Sequence, residues 1–144
     1  MKSILRILAI TFLIPFFLLN CSSDDNSTES ENENTLVGVW KVVEMSWSNI
    51  SNSGSYSQTQ LDSMGFVWQL SFNSDNTGEQ MTNIEGPIIN QELNWTTTAD
   101  ILTLTLKEPY TGSIEFSYKM LNNILTLDWE RPAGTEYTAD FTKL

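Results

Sequence analysis

Few residues in this chain are of a type that could do acid–base or covalent chemistry. The 144-residue sequence has no histidine and one cysteine, Cys21, which excludes histidine-based catalysis, zinc ligation and internal disulfides. No serine lies in a Gly-x-Ser-x-Gly elbow, and no glycine-rich loop leads from a strand into a helix. Asp128 and Glu130 could form a carboxylate pair, but residues two apart on a strand usually mark a solvated face. We therefore predict a protein that is not an enzyme and needs no cofactor or metal.

Cys21 ends an N-terminal segment that has the pattern of a targeting signal. A basic start is followed by the apolar run 7–19, which as a helix would reach only about 20 Å, less than the roughly 30 Å core of a bilayer. Leu18-Leu19-Asn20-Cys21 resembles the lipobox of bacterial lipoproteins, whose cysteine is acylated and becomes the mature N-terminus. We predict that residues 1–20 are a lipoprotein signal peptide and that acyl chains on Cys21 bind the lipid bilayer.

Residues 21–34 comprise Cys21 and an acidic segment that we expect to be a disordered tether. Its residues after Cys21 are all polar, and its five acids have no counter-charge, so the segment cannot collapse. Ser22 after the cysteine resembles an outer-membrane sorting signal, and Ser23-Asp24-Asp25 resembles the acidic export signal of Bacteroidota lipoproteins. These resemblances imply an outer-membrane lipoprotein, on the cell surface or on the periplasmic face. A spacer without a sorting role is the alternative.

The charge of the chain excludes one class of partner. The formal net charge is −11, and Lys2 and Arg6 fall within the signal segment, which leaves 18 acids against 5 bases in the exported part. Such an acidic protein is not expected to bind nucleic acid.

From residue 35 onward the hydrophobic pattern has period two, which is typical of strands. We predict eight strands, over 36–45, 66–72, 79–82, 93–95, 102–106, 114–120, 125–130 and 137–141. Asn76 and Gly78, which tolerate positive φ, mark a turn over Ser74-Asp75-Asn76-Thr77-Gly78, and Asn122-Asn123 marks a tight turn. No amphipathic helix is available to cover the apolar face of the sheet, so the sheet must close on itself. Residues 35–144 are therefore predicted to form one all-β domain, an antiparallel eight-stranded up-and-down meander closed into a barrel.

The interior of such a barrel is expected to be largely filled by side chains. An eight-stranded barrel has room for its own side chains or for one small ligand. Seven aromatic residues are predicted to point inward, so a large cavity is not expected: Trp68, Phe72, Trp95, Phe116, Tyr118, Trp129 and Phe141.

The segment 48–65 is too long for a tight turn and is mostly polar. Loops of this length are usually functional or disordered. Two interpretations remain open: a flexible insertion, or a lid over one barrel mouth with Tyr56, Leu61 and Met64 folded inward and a short helical turn near 59–64. Asp62-Ser63-Met64 also resembles the O-glycosylation acceptor of Bacteroidota, which makes Ser63 a candidate modification site, although three-residue motifs also occur by chance.

Two further motifs indicate a family. The start of strand one, Leu36-Val37-Gly38-Val39-Trp40-Lys41-Val42, resembles the L-x-G-x-W-K opening of the lipocalin-like lipoproteins of Bacteroidota. Phe72-Asn73-Ser74-Asp75-Asn76-Thr77-Gly78 resembles the F-x-x-D-G-T-G hairpin of that family. The resemblance implies a lipocalin-like barrel whose Trp40 plugs one end, a membrane anchor, and a small hydrophobic ligand.

We name seven residues as candidates for ligand or lid contacts, because they are aromatic or apolar and lie on inward strand positions, in the long loop or, for Trp47, between strand one and that loop: Trp47, Tyr56, Leu61, Met64, Trp68, Trp95 and Tyr118. Core packing is the competing explanation for Trp68 and Trp95. Two other functions stay open. One is a structural or interaction lipoprotein of the cell envelope with a filled barrel and unknown protein partners. The other is a glycan-binding module in which Trp47 and Tyr56 stack on sugars.

Overall fold

The structure, a computed structural model, describes residues 35–84 and 86–144. The predicted signal peptide, the lipidation site Cys21 and the predicted tether lie outside the described residues, and those predictions are not tested by the fold. None of the helices in the described part of the chain is long or apolar enough to span a bilayer.

The described residues form nine strands and one short helix. In chain order the elements are β1 (Gly38–Ser48), β2 (Ser53–Ser57), α1 (Gln58–Ser63), β3 (Trp68–Phe72), β4 (Thr77–Thr82), β5 (Ile89–Thr98), β6 (Ile101–Leu106), β7 (Gly112–Leu121), β8 (Ile124–Arg131) and β9 (Thr135–Lys143).

Eight of these strands close into an antiparallel barrel. β3 to β9 pair in sequence order, β1 pairs with β3, and β9 returns to pair with β1. The predicted all-β, eight-stranded up-and-down barrel is thereby confirmed. Both predicted turns are present. Asn122 and Asn123 have φ 52° and 60°, the left-handed values that a two-residue hairpin between twisted strands requires. Asn76, with φ 66°, ends the connection between β3 and β4, whereas Gly78, which we expected in this turn, lies in β4 and does not have a positive φ.

The ninth strand, β2, lies outside the closed ring and was not predicted. β1 pairs with β3 over Gly38–Lys41 and then, beyond a bulge between Val42 and Glu44, with β2 over Glu44–Ser48. A bulge bends a strand and increases its twist, so β1 changes partner where it bends. The sequence of β2, Ser-Gly-Ser-Tyr-Ser, has no apolar alternation that would indicate a strand.

The predicted loop 48–65 is therefore folded over most of its length. A hairpin joins β1 to β2, and α1 follows at once, close to the expected helical turn. At the start of α1 the Ser57 N–H donates to Gln60 Oε1 at 2.8 Å, half of a capping box. Leu61 anchors the helix, because its side chain is only 2 % exposed and belongs to the core.

The barrel has two different ends. The closed end carries the turns after β3, β5 and β7 and the start of β1, and the open end carries the connections after β1, β4, β6 and β8. Trp40 is 1 % exposed at the closed end, the position that the lipocalin-like resemblance implies. Between the two ends lies a core formed mainly by leucines and aromatic residues of every barrel strand except β4.

Candidate functional site

A cavity of about 690 Å³ opens at the open end of the barrel. Its volume is within the range of about 300–1,000 Å³ that small-molecule sites occupy. The expectation of a filled interior is therefore wrong for this half of the barrel. The closed half is filled by core side chains. In the open half, the lining side chains contributed by β1, β4 and β5 have no ring: Met45, Gln80, Thr82, Ile89 and Gln91.

The floor of the cavity is aromatic. Trp68 meets Trp129 edge to face with ring centroids 5.5 Å apart, and Phe116 lies 6.4 Å from Trp68 and 5.8 Å from Trp129. Trp129 in turn stacks on Tyr137 at 5.3 Å with an interplanar angle of 15°. Rings locked in such contacts form a rigid surface against which an apolar molecule can pack without a large loss of side-chain entropy.

The rim of the cavity, formed by Ile84, Pro87, Tyr110 and Ile114, is apolar and exposed. Ile84 and Pro87 lie on the connection between β4 and β5, Tyr110 lies on that between β6 and β7, and Ile114 lies in β7. Tyr110 is 55 % exposed. Exposed apolar residues grouped around a concave opening are more informative than the same residues scattered singly, and they are typical of a ligand entrance.

Polar side chains face the cavity on two neighbouring strands. Gln80 on β4 and Gln91 on β5 lie directly opposite each other in the sheet, and both line the cavity. Gln91 is 2 % exposed, and its Nε2 donates to the carbonyl oxygens of Glu92 and Lys107. The buried atoms Gln80 Oε1, Gln91 Oε1 and Trp68 Nε1 have no hydrogen-bond partner.

Charge is nearly absent from the described lining of the cavity. Arg131 is its one ionised side chain, and the guanidinium carbon lies 5.5 Å from the ring centroid of Tyr137. No described lining residue is a carboxylate, although the whole chain carries a formal charge of −11. The described lining is therefore mainly apolar, with one cation and no carboxylate, in a strongly acidic protein.

Of the seven residues named from the sequence, Trp68 lines the cavity and the other six do not. Trp95 lies at the closed end, where its Nε1 donates to the carbonyl oxygen of Thr77 at 3.0 Å and its ring meets Phe72 at 5.4 Å. These contacts make Trp95 a structural residue of the β3–β4 hairpin. Tyr118 is half-buried and packs against the core.

The remaining four belong to the β1–β2 hairpin and the α1 region. Trp47 and Tyr56 contact each other with ring centroids 5.0 Å apart, and the Trp47 ring lies against Gly54. Tyr56 is 39 % and Met64 54 % exposed, whereas Leu61 is buried in the core. Of the three residues that the lid interpretation placed inward, Leu61 packs into the core, whereas Tyr56 and Met64 are exposed.

Two other candidate groups have local partners. Ser63, the predicted modification site, is exposed at the end of α1, and its Oγ donates to the carbonyl oxygen of Gln60 at 2.8 Å. Asp128 accepts a 2.6 Å hydrogen bond from Thr138 Oγ1 across β8 and β9. Among the described residues, no three acidic, histidine or cysteine side chains form a metal-binding group.

Sequence reasoning did not identify Gln80, Gln91 or Tyr137 as site residues. The prediction assigned no inward face to strand 79–82. The register places Gln80 in the cavity and therefore the apolar Met81 on the opposite face. The sequence signal for this site is a glutamine at an inward-facing position on each of two paired strands. Which positions face inward can be told only when the register of the strands is known.

Comparison with known proteins supports the fold. No protein-family model and no curated protein matches the chain. Among solved structures, a lipocalin-like protein from Bacteroides uniformis matches with a TM-score of 0.50 and 13 % identity, over 76 % of this chain and 98 % of that one. An uncharacterized protein from Bacteroides eggerthii matches with a TM-score of 0.47 and 14 % identity, over 76 % of this chain and all of that one. The barrel thus has a lipocalin-like fold, as the first of these structures does.

Proposed function

We propose that this protein is a non-catalytic, lipid-anchored lipocalin-like lipoprotein that binds a small hydrophobic molecule in the cavity at the open end. The observation that carries the proposal is the cavity itself, about 690 Å³ in volume, with an aromatic floor and an apolar rim. Burial of apolar ligand surface supplies the binding free energy, at about 25 cal/mol per Å² before the costs of association.

Calorimetric titration of the processed protein with apolar compounds tests the binding step. Ile89 is half-buried and lines the cavity, so Ile89→Trp should fill part of the space and abolish or strongly weaken binding. Thr105→Trp is the matched control, because Thr105 is an exposed residue of β6 that does not line the cavity. Equal affinities of the two variants and the wild type would exclude this cavity as the binding site.

The membrane anchor in this proposal rests on Cys21 and its flanking residues. We expect the protein in the outer membrane, held by acyl chains, with the barrel on the cell surface or on the periplasmic side. Cys21→Ala should remove the protein from the membrane fraction and abolish labelling by a fatty-acid probe. Protease added to whole cells then distinguishes the two sides, because only a surface-exposed barrel is accessible to it.

The second candidate function is an accessory lipoprotein that contacts other envelope proteins. It is favoured by the outer edge of β2, which has no neighbouring strand among the described residues. An unpaired strand edge offers backbone donors and acceptors to an added strand of a partner. Crosslinking in cells distinguishes the two functions: a partner lost in Ser55→Pro, which removes a β2 backbone donor, but kept in Ile89→Trp would favour the accessory role.

A further inference from the structure

Three buried polar atoms without a hydrogen-bond partner all belong to residues that line the cavity. They are Trp68 Nε1, Gln80 Oε1 and Gln91 Oε1. A buried polar atom without a partner costs free energy, and native proteins keep few of them. Their confinement to one cavity indicates that these atoms serve something that enters it.

The three residues form a continuous group on adjacent strands. Gln80 and Gln91 are directly opposite across β4 and β5, and Leu70 is opposite Gln80 across β3 and β4. Trp68, two residues before Leu70 on the same face of β3, is therefore a diagonal neighbour of Gln80. One small polar group can thus reach more than one member of the group.

The hydrogen-bonding character of the group is partly set by the protein. Both amide hydrogens of Gln91 are engaged, because Nε2 donates to the carbonyl oxygens of Glu92 and Lys107. Its Oε1 is left as an acceptor inside the barrel, and the indole N–H of Trp68 can only donate. The site therefore needs a ligand that has both a donor and an acceptor.

We propose that the cavity selects amphiphiles whose inner end is a neutral group with an N–H or O–H donor, such as a primary amide or a hydroxyl. This inference rests on the proposed ligand binding and adds the class of ligand. The donor of the ligand meets Gln91 and Gln80, its oxygen accepts from Trp68, and its apolar body contacts the aromatic floor and the rim. A carboxylate is rejected at the inner end, because it has no donor and would be buried beside amide oxygens. The cation of the lining, Arg131, is the last residue of β8 and so lies at the open end.

Three ligands with the same alkyl chain test the selection: decanamide, N,N-dimethyldecanamide and decanoate. The first two share a carbonyl acceptor, but only decanamide has donors. Calorimetry at pH 8 should give about tenfold tighter binding of decanamide than of its dimethyl analogue, the size expected for one buried hydrogen bond. Decanoate should bind more weakly than decanamide.

The Gln80→Met variant supplies the matched comparison. It removes one of the two unpaired acceptors, Gln80 Oε1, with little change in volume, so it should fold and should weaken the tenfold preference for decanamide while Gln91 Oε1 keeps part of it. Gln69→Met is the control: the side chain of Gln69 does not line the cavity, so the preference should remain tenfold. A crystal structure with decanamide should place its nitrogen within hydrogen-bond distance of Gln80 or Gln91 Oε1.

The outcomes separate the two proposals. If none of the three ligands binds and Ile89→Trp changes the binding of no apolar compound, the proposed function itself fails. If both amides bind the wild type equally, ligand binding stands and the donor selection is overturned. If Gln80→Met keeps the full tenfold preference, the contact with Gln80 is overturned. A complex with the amide at the rim overturns the donor selection as well.

Discussion

The indole Nε1 of Trp40 donates a 2.7 Å hydrogen bond to the carbonyl oxygen of Leu36, four residues earlier in the chain. Both side chains are buried, and Lys143 Nζ lies 5.4 Å from the centroid of the Trp40 ring. Trp40 therefore contacts both the first segment of the described chain, through Leu36, and the last, through Lys143. Because β1 also pairs with β9, closure of the barrel and burial of Trp40 depend on the same contacts.

Replacement of Trp40 should therefore destabilise the whole barrel. Trp40→Ala leaves a cavity and an unpaired carbonyl, and we expect a loss of about 3–5 kcal/mol in the free energy of unfolding. Trp40→Phe keeps most of the ring and should lose clearly less. Denaturant unfolding monitored by circular dichroism measures both variants, and a Trp40→Ala protein as stable as the wild type would contradict this role.

Leu61 should be the apolar side chain through which the α1 helix stabilises the protein. Leu61→Ala removes a side chain buried in the core, so we expect a loss of about 2–5 kcal/mol. Met64→Ala, three residues later, changes a side chain that is more than half exposed and should alter stability by less than about 0.5 kcal/mol. Similar losses for the two variants in thermal unfolding would show that the helix is not anchored by Leu61.

Gly78 is required by the close approach of two strands. A Cβ at this position would overlap the carbonyl oxygen of Ser71, which is backbone of the paired strand β3 and cannot rotate away. Gly78→Ala should cost about 1–3 kcal/mol, as overpacking usually does. Glu79→Ala, at the exposed next position, should change the unfolding midpoint little. Equal midpoints for both variants would contradict the overlap.

The turn between β3 and β4 should be sensitive to acid. Hydrogen bonds from the Thr77 side chain and backbone hold the pKa of Asp75 below its ordinary value of 3.8. Because the folded-state pKa is the lower one, this contribution to stability is complete above the ordinary value and is lost as the pH falls through the folded-state pKa. The Thr77 amide shift in an NMR titration should therefore have a midpoint below 3.8. A midpoint at or above that value would contradict the hydrogen-bonded turn.

The regular part of the barrel could be predicted from the sequence because each strand buries one face. Alternation of apolar and polar residues marks strands directly, and paired asparagines such as Asn122-Asn123 mark the turns. The cavity could not be predicted in this way. An inward Gln80 beside an outward Met81 runs against the apolar pattern, and only the pairing with Gln91 shows which face is buried.

The β1–β2 hairpin was missed for a related reason. Tyr56 stabilises β2 by contacting Trp47 on the paired strand β1. This strand is therefore specified by a cross-strand contact, and the local sequence Ser-Gly-Ser-Tyr-Ser does not predict it. Trp95 illustrates the opposite error. Because Trp95 is aromatic, we predicted a ligand contact, but its indole N–H donates to backbone carbonyl oxygens at the closed end of the barrel.

The position of Trp40 limits the routes by which a small molecule could reach the cavity. With one end of the described barrel filled by the Trp40 indole, a molecule bound as we propose would have to enter and leave at the open end, past Ile84, Pro87, Tyr110 and Ile114. A barrel of this kind would hold or release a bound molecule at one end and would not form a channel between its two ends.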